Sequence, residues 1–389
     1  MNKKINYLHG TALVLYEMYA GFTFSFGSYI LLEKGFSSTM AGIIMSIGNV
    51  VGFILQPFIS DITDKSKTLT IIQVLIIETA FAFGACMLNV IELSPNVIAA
   101  FAFITIIATV SLLEALYNSA HFILNDNNYA VNFQRARAFG SIGFGTFSFL
   151  LGVLFERLPF RVALSLGSLV CLLTMIVLTV LNHNVNIDKN NNNKDEEEIT
   201  YSQFLHNHPN CIKVIVSFVF IFLGYTLIDN FYVLKLNAIG VGSTSLGLII
   251  LIKTLMEFPS FYIYKKIELK FGTKRCLIFS AFMFVIKNLI IFLAPNTVML
   301  CVAQICQAGS YGLILPAMIS YINQATNKKE TVRGQALFSM GIGFGAILSS
   351  ALAGVIFDNL GLNALFISAL VIGIVSAFFF THYVLKNEN

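Results

Sequence analysis

Apolar residues along this chain come in long runs, and short polar stretches separate them. Twelve runs are long enough to cross a bilayer, which takes about 20 mainly apolar residues. The first six lie near 9–32, 38–60, 69–91, 97–124, 130–155 and 160–181. The second six lie near 212–234, 242–264, 276–294, 297–323, 335–357 and 362–385. Inside a bilayer the backbone has no water to bond, so each run is expected to be a helix. The alternation of a barrel strand is missing. The expected fold class is therefore an all-α membrane protein with twelve transmembrane helices. The first run is too long for a cleaved leader and has no small-residue cleavage site after it, so it counts as a span.

The main polar interruption falls at mid-chain, over 182–210. It contains the Asn-, Lys- and Glu-rich run from Asp188 to Glu198. Such a run cannot bury apolar surface and reads as a linker. It divides the chain into two six-helix halves, 1–181 and 211–389.

Composition sharpens this picture. Hydrophobic types make up 57% of the 389 residues and charged types 11%, against about 25% charged in a soluble domain. A soluble enzyme, a nucleic-acid binder and a disordered protein are excluded on that ground. The net charge of +4 is too small to imply a polyanion partner. Its distribution is more informative. With the N-terminus in the cytoplasm, eighteen of the 24 Lys and Arg fall on the inner side and four on the outer. The other two, Lys253 and Lys287, lie at membrane depth. Basic residues accumulate in cytoplasmic loops. Both termini and the linker are expected there, in a plasma membrane. The Asn- and Lys-rich loops fit an AT-rich bacterial genome. The six cysteines include no C-x-x-C pair and lie mostly in apolar runs. They read as small buried side chains. No disulfide framework, metal site or cofactor is expected.

The halves resemble each other at an offset of about 200 residues. Ile142-Gly143-Phe144-Gly145 returns as Ile342-Gly343-Phe344-Gly345, and the pair Gly152 and Phe155-Glu156 returns as Gly354 and Phe357-Asp358. Gly35 and Gly42 return with their spacing as Gly240 and Gly247. Two parallel six-helix repeats with a site at their interface are the major facilitator architecture. The chain resembles that superfamily over nearly its whole length, and within it the lactose permease and oligosaccharide:proton symporter branch. The superfamily's G-x-x-x-D-[RK]-x-G-[RK] loop reads here as Ser60-Asp61-Ile62-Thr63-Asp64-Lys65-Ser66-Lys67, with both glycines lost. Phe271-Gly272-Thr273-Lys274-Arg275 is the second-half copy, and Gln56-Pro57 matches the sugar permeases. The strongest match is Gln134-Arg135-Ala136-Arg137-Ala138-Phe139-Gly140-Ser141-Ile142-Gly143-Phe144, which is similar to the branch's G-R-A-R-x-x-G-x-x-G-[WF].

Ionisable groups inside spans are expensive and mark candidate functional sites. The acids at depth are Glu17, Glu78, Glu114, Asp229 and Glu257, and the bases are Lys253 and Lys287, with Arg137 near a span entrance. Glu114 and Arg137 lie at nearly equal distance from a turn near Asp126, at about 1.5 Å per residue. They are expected to face each other, either to hydrogen-bond a solute or only to join two helices. The resemblance implies the former, since the matching residues bind the galactoside. Phe144 stands where the branch has a Trp that stacks on the sugar. Asn118, one turn beyond Glu114, joins this set. Lys253 and Glu257 stand four residues apart on one helix face, where a pair that only lowers the burial cost is the alternative to a functional role. The resemblance gives Glu257 a part in sugar binding and coupling, and places Lys287 near the coupled proton. The branch's span-ten Lys, His and Glu fall on Gln304, Gln307 and Ser310. None of these titrates near neutral pH. Glu257, Asp229 and Glu17 are then the candidates for carrying a proton, unless the protein is a uniporter or couples to another ion. Glu17 is also a cavity candidate, as are His121, Gln304 and Gln307. Asp64, Lys65, Lys274 and Arg275 lie in cytoplasmic loops, where the resemblance implies a gate and charge alone implies topology.

No catalytic set or phosphate loop is apparent, so the chain is not expected to be an enzyme. It is expected to be a monomeric secondary transporter working by alternating access. Its partners would be a small polar solute, a sugar, an oligosaccharide or a nucleoside, and a co-transported proton. The alternative is a proton-coupled exporter of drugs or metabolites, for which the 37 Phe supply apolar walls. A non-transporting solute sensor is a further rival.

Overall fold

A computed structural model describes residues 2–65, 69–187 and 200–386. Among these residues the secondary structure is helical, without strands. The first expected span is α1 (Asn2–Ala20), a π-helical turn (Gly21–Ser25) and α2 (Phe26–Glu33). Single helices follow at α3 (Ser38–Lys65), α4 (Ile71–Ile91), α5 (Val97–Asp126), α6 (Phe133–Arg157) and α7 (Phe160–Asn184). The expected linker contains a short helix, α8 (Tyr201–Asn207). Beyond it, α9 (Pro209–Asp229) and α10 (Tyr232–Ala238) make a broken span, followed by α11 (Ser243–Phe271) and α12 (Thr273–Leu293). The next span is also broken, into α13 (Thr297–Ile305) and α14 (Tyr311–Ala325). The last two expected spans run together as α15 (Lys328–Lys386), which turns at Gly361, where φ is 82°. Nine of the described helices are long and apolar enough to cross a membrane. Several of the expected spans are broken, and the last two are merged.

The chain divides into two compact units. Unit 1 comprises Met1–Lys194 with Gly242–Leu251, and unit 2 comprises Asp195–Val241 with Ile252–Asn389. In unit 1, α3 lies against α5 along Gly48 and Gly52, four residues apart. A methyl group at Gly48 would sit 2.7 Å from the Cβ of Ile107, and one at Gly52 would sit 2.9 Å from the Cβ of Ser111. Small residues at this spacing let helix backbones approach closely where no hydrophobic effect drives association. In unit 2, Phe218, Phe284, Ile314 and Phe380 are fully buried in one core that α9, α12, α14 and α15 share.

The repeat is visible in how helices end. Gly35 follows α2 at φ 91° and Gly240 follows α10 at φ 71°. The two backbone bonds at each place have the same register: Phe36 N–H to Leu31 O with Gly35 N–H to Leu32 O, and Val241 N–H to Leu236 O with Gly240 N–H to Asn237 O. This is a Schellman ending, which needs a left-handed residue. A lysine beside each ending reaches the exposed carbonyls of another helix. Lys34 Nζ donates to Asn89 O at 2.6 Å and to Glu92 O, at the end of α4. Lys235 Nζ donates to Phe292 O at 2.8 Å, at the end of α12. Both cations stand at the negative end of a helix dipole. Burial pulls the Lys34 amine down to about 8, while the charge of Glu92 opposes that shift.

The α8 helix is anchored to unit 2. Thr200 and Gln203 form a capping box at its start. Phe204 is fully buried, and His208 Nε2 lies 2.9 Å from Glu330 Oε2. The bond from His208 is the main cause that holds the Glu330 carboxyl below the usual glutamate range.

The α3–α5 seam predicts a steep size dependence at Gly48. Gly48→Val is expected to cost about 1–3 kcal/mol by overpacking, read as a lower melting temperature in detergent. An unchanged melting temperature would show that the seam has slack.

Candidate functional site

Each unit holds its own cluster of charged residues. In unit 1 the cluster joins α1, α5 and α6. Three tyrosines position α1 against α5: Tyr16 OH donates to Val110 O at 3.2 Å, Tyr19 OH to Ile106 O at 3.0 Å and Tyr117 OH, from the other side, to Ala12 O at 3.2 Å. Glycines position α1 against α6. A methyl at Gly140 would lie 2.7 Å from Glu17 Cγ, and one at Gly143 would lie 2.9 Å from a methyl of Val14. The glycines of the strongest sequence motif thus form the seat for α1.

That seat decides where Arg137 points. Its Nη1 lies 2.5 Å from Glu17 Oε1, and its Nη2 lies 3.7 Å from Glu114 Oε1. The expected pairing with Glu114 is therefore the weaker of two, because 3.7 Å exceeds hydrogen-bond range. Glu17 on the neighbouring helix is the closer partner. The Glu17 side chain is 9% exposed, while those of Glu114 and Arg137 are 47% and 43% exposed. The arrangement presents an open carboxylate beside a guanidinium already held from one side. Asn118 is exposed on α5. Phe144 is half-buried against the π-helical turn, its carbonyl 3.2 Å from where a methyl at Gly21 would sit. His121 lies within 3.4 Å of the Asn125 amide, and its ring stacks on that of His9 with centroids 6.4 Å apart. The His9 ring and the π-helical turn were not singled out from the sequence. Neither has a strong local signal, although Gly21 marks the start of the turn.

In unit 2 the cluster is built around Tyr225 of α9. Lys253 Nζ lies 2.6 Å from Asp229 Oδ2 and 5.5 Å from the centre of the Tyr225 ring. Lys253 thus meets Asp229 on α9, and the alternative of a Lys253–Glu257 pair along α11 gives way to this bond between helices. A lysine and a carboxylate on different packed helices can meet end to end, whereas an i,i+4 pair must bend its side chains along one surface. Glu257 is met by an amide instead: Gln307 Nε2 donates to Glu257 Oε1 at 2.6 Å. The carbonyl of the same amide accepts from Lys287 Nζ at 2.5 Å. Lys287 is buried, and its ammonium sits 4.8 Å from the centre of the Tyr225 ring. One glutamine thus bridges a buried cation and a carboxylate. Gln307 occupies the break between α13 and α14, where Gly312 N–H returns to its carbonyl at 3.0 Å. Gln304 belongs to a separate bond, donating to Tyr232 OH at 3.2 Å. Ser310 turns back to Cys306 O at 2.9 Å.

The gate candidates are further apart in character. Lys274 and Arg275 open α12, Lys274 half-buried and Arg275 exposed. Asp64 and Lys65 end α3, and their side chains lie outside the described residues. Among the described residues no group of three or more His, Cys, Asp and Glu is placed to hold a metal ion.

The pairing of Glu17 with Arg137 predicts a non-additive double substitution. Gly140→Ala alone is expected to displace Glu17 and lower the melting temperature. Once Glu17→Ala has removed the obstructing side chain, adding Gly140→Ala is expected to cost little more. Additive losses in detergent melting would refute the contact.

The MFS_1 like family matches residues 7–368. The uncharacterized transporter YwbF of Bacillus subtilis (strain 168) is 25% identical over 375 residues, covering 92% of this chain and 88% of the relative. Among solved structures, a variant of the nucleoside transporter NupG matches with a TM-score of 0.81 and 16% identity, covering 97% of this chain and 99% of that one. A bacterial homologue of the human lysosomal transporter Spinster, inward-facing and unoccupied, matches with a TM-score of 0.70 and 11% identity, covering 99% of this chain and 97% of that one.

Proposed function

The chain belongs to the MFS_1-like family of major facilitator transporters, and from that premise we propose that it takes up a small neutral hydroxyl-rich solute together with a proton. The observation that carries this reading is the Glu17–Arg137–Glu114 group. Arg137 is steadied by Glu17 at 2.5 Å, and the Glu114 carboxylate stands open beside it. A donor fork next to an acceptor matches the vicinal hydroxyls of a sugar or ribose. The charge balance disfavours anions. Unit 1 sets two carboxylates against one guanidinium, and unit 2 sets two carboxylates against two ammonium groups. Nucleosides and sugars therefore rank ahead of their phosphates. The fold shared with the nucleoside transporter NupG makes nucleosides the first compounds to test.

Coupling is assigned to Glu257. Glu17 and Asp229 each hold an ion pair. Glu257 accepts its 2.6 Å bond from a neutral amide. Protonating it breaks no direct ion pair, so it can gain and lose a proton at lower cost than the other two. Phe144 and Asn118 are assigned to the solute, Lys287 and Gln307 to the orientation of Glu257, and Gln304 to the wall around them. Asp64, Lys65, Lys274 and Arg275 are assigned to the cytoplasmic gate. The protein would work as a monomer by alternating access in a bacterial plasma membrane, with both termini cytoplasmic.

Proteoliposomes loaded with a pH dye test the proposal. Nucleosides and sugars are expected to drive external alkalinisation, and the corresponding phosphates are not. Arg137→Ala is expected to reduce transport by at least about 100-fold, if two charge-assisted bonds of about 1.5 kcal/mol each are lost. Glu257→Gln is expected to abolish proton movement while solute exchange across the membrane persists. Proton exchange driven by cationic drugs, with no response to any sugar or nucleoside, would favour the exporter.

A further inference from the structure

The start of α11 is capped by a residue from another helix. The first N–H groups of a helix need partners that the helix itself cannot supply. At the repeat-equivalent start of α3, the chain supplies its own: Ser37 Oγ accepts from Met40 N–H at 3.2 Å. On α11 the equivalent position is Gly242, which has no side chain. The cap comes instead from Glu156, at the end of α6. Its carboxylate accepts from Thr244 N–H at 2.9 Å and from Thr244 Oγ1 at 2.7 Å. One turn earlier on α6, Gly152 O accepts from Ser243 Oγ at 2.8 Å.

Three glycines make this approach possible. A methyl at Gly247 would lie 2.6 Å from Ser148 O. One at Gly152 would overlap the Ser243 carbonyl, and one at Gly242 would overlap the Glu156 carboxylate. A serine cap at 242 and the Glu156 cap therefore exclude each other sterically. The chain carries the borrowed cap, which exists only while α6 lies against α11. Glu156 is exposed, so water can replace it when the helix ends part.

We infer that Glu156 is a state-dependent latch: it holds the ends of α6 and α11 together in this conformation and releases them when they separate in the transport cycle. It is a positioning residue and needs no contact with solute or proton. The inference is independent of which solute is carried and of which acid carries the proton.

Hydrogen–deuterium exchange on the full-length protein in nanodiscs tests it. Glu156→Ala is expected to raise exchange in both 148–156 and 243–251, with the open population increased about five-fold, the size of one lost cap. Gly242→Ser is then added to give α11 its own cap in the space vacated by the carboxylate. This double variant is expected to restore slow exchange in the first turn of α11 and to leave 148–156 fast. A latch is lost in both variants, whereas a plain helix cap is restored in the second. Exchange at 148–156 that matches the unsubstituted protein in either variant would overturn the inference. Should Glu156→Ala fail to fold, the double variant, with α11 capped, decides by the same comparison.

Discussion

An ionised side chain inside a helical span has to be met by another polar group, because hydrocarbon supplies none, and that need orders the rest of this structure. In unit 1 it draws α1, α5 and α6 together around Arg137. In unit 2 it draws α9, α11 and α12 together, with the break between α13 and α14, around Tyr225. The apolar surface of a membrane helix does not choose its neighbour, since lipid serves it as well as protein does. Buried charge does choose, because a misplaced helix leaves it unpaired.

Glycine supplies the complementary part. A guanidinium can meet a carboxylate on the next helix only if the backbones come close, and Gly140 and Gly143 allow that between α6 and α1. The same device appears without charge along Gly48 and Gly52 of α3, and with an exposed carboxylate at Gly152, Gly242 and Gly247. The Gly-rich segment of α6 thus has two purposes along its length. Its first part seats the Arg137–Glu17 pair, and its last part receives α11. A single long helix is consequently tied to the charge cluster at one end and to the proposed latch at the other.

Gln307, at the break between α13 and α14, has a local role. Gln307 cannot exchange protons, yet its amide offers an acceptor to Lys287 and a donor to Glu257 together. A neutral side chain with both functions can keep a cation and an anion in register without joining them directly. Tyr225 adds its ring face to the ammonium of Lys287, which lowers the cost of burying that charge. Proton coupling through Glu257 would then act on Lys287 through an amide rather than through a second titrating group.

Much of this was legible from residue types and spacing. Long apolar runs required helices, the mid-chain polar run marked the linker, and repeated glycine motifs exposed the duplication that reappears in the endings at Gly35 and Gly240. The acids and bases at depth were all candidates, since cost alone singles them out. Partner choice was not legible. Helical spacing offered Glu257 to Lys253 and equal depth offered Glu114 to Arg137, but neighbouring helices brought Asp229 and Glu17 closer. The helix breaks at Gly21–Ser25 and Cys306–Ser310 were likewise hidden, because the Gly, Ser and Thr residues there are equally at home inside a packed membrane helix. The sequence by itself determined which groups had to be paired and that helices would carry them, because burial in hydrocarbon depends on residue type. Only the tertiary structure decided which groups pair, because that depends on how close two backbones can come, and a few glycines set that distance.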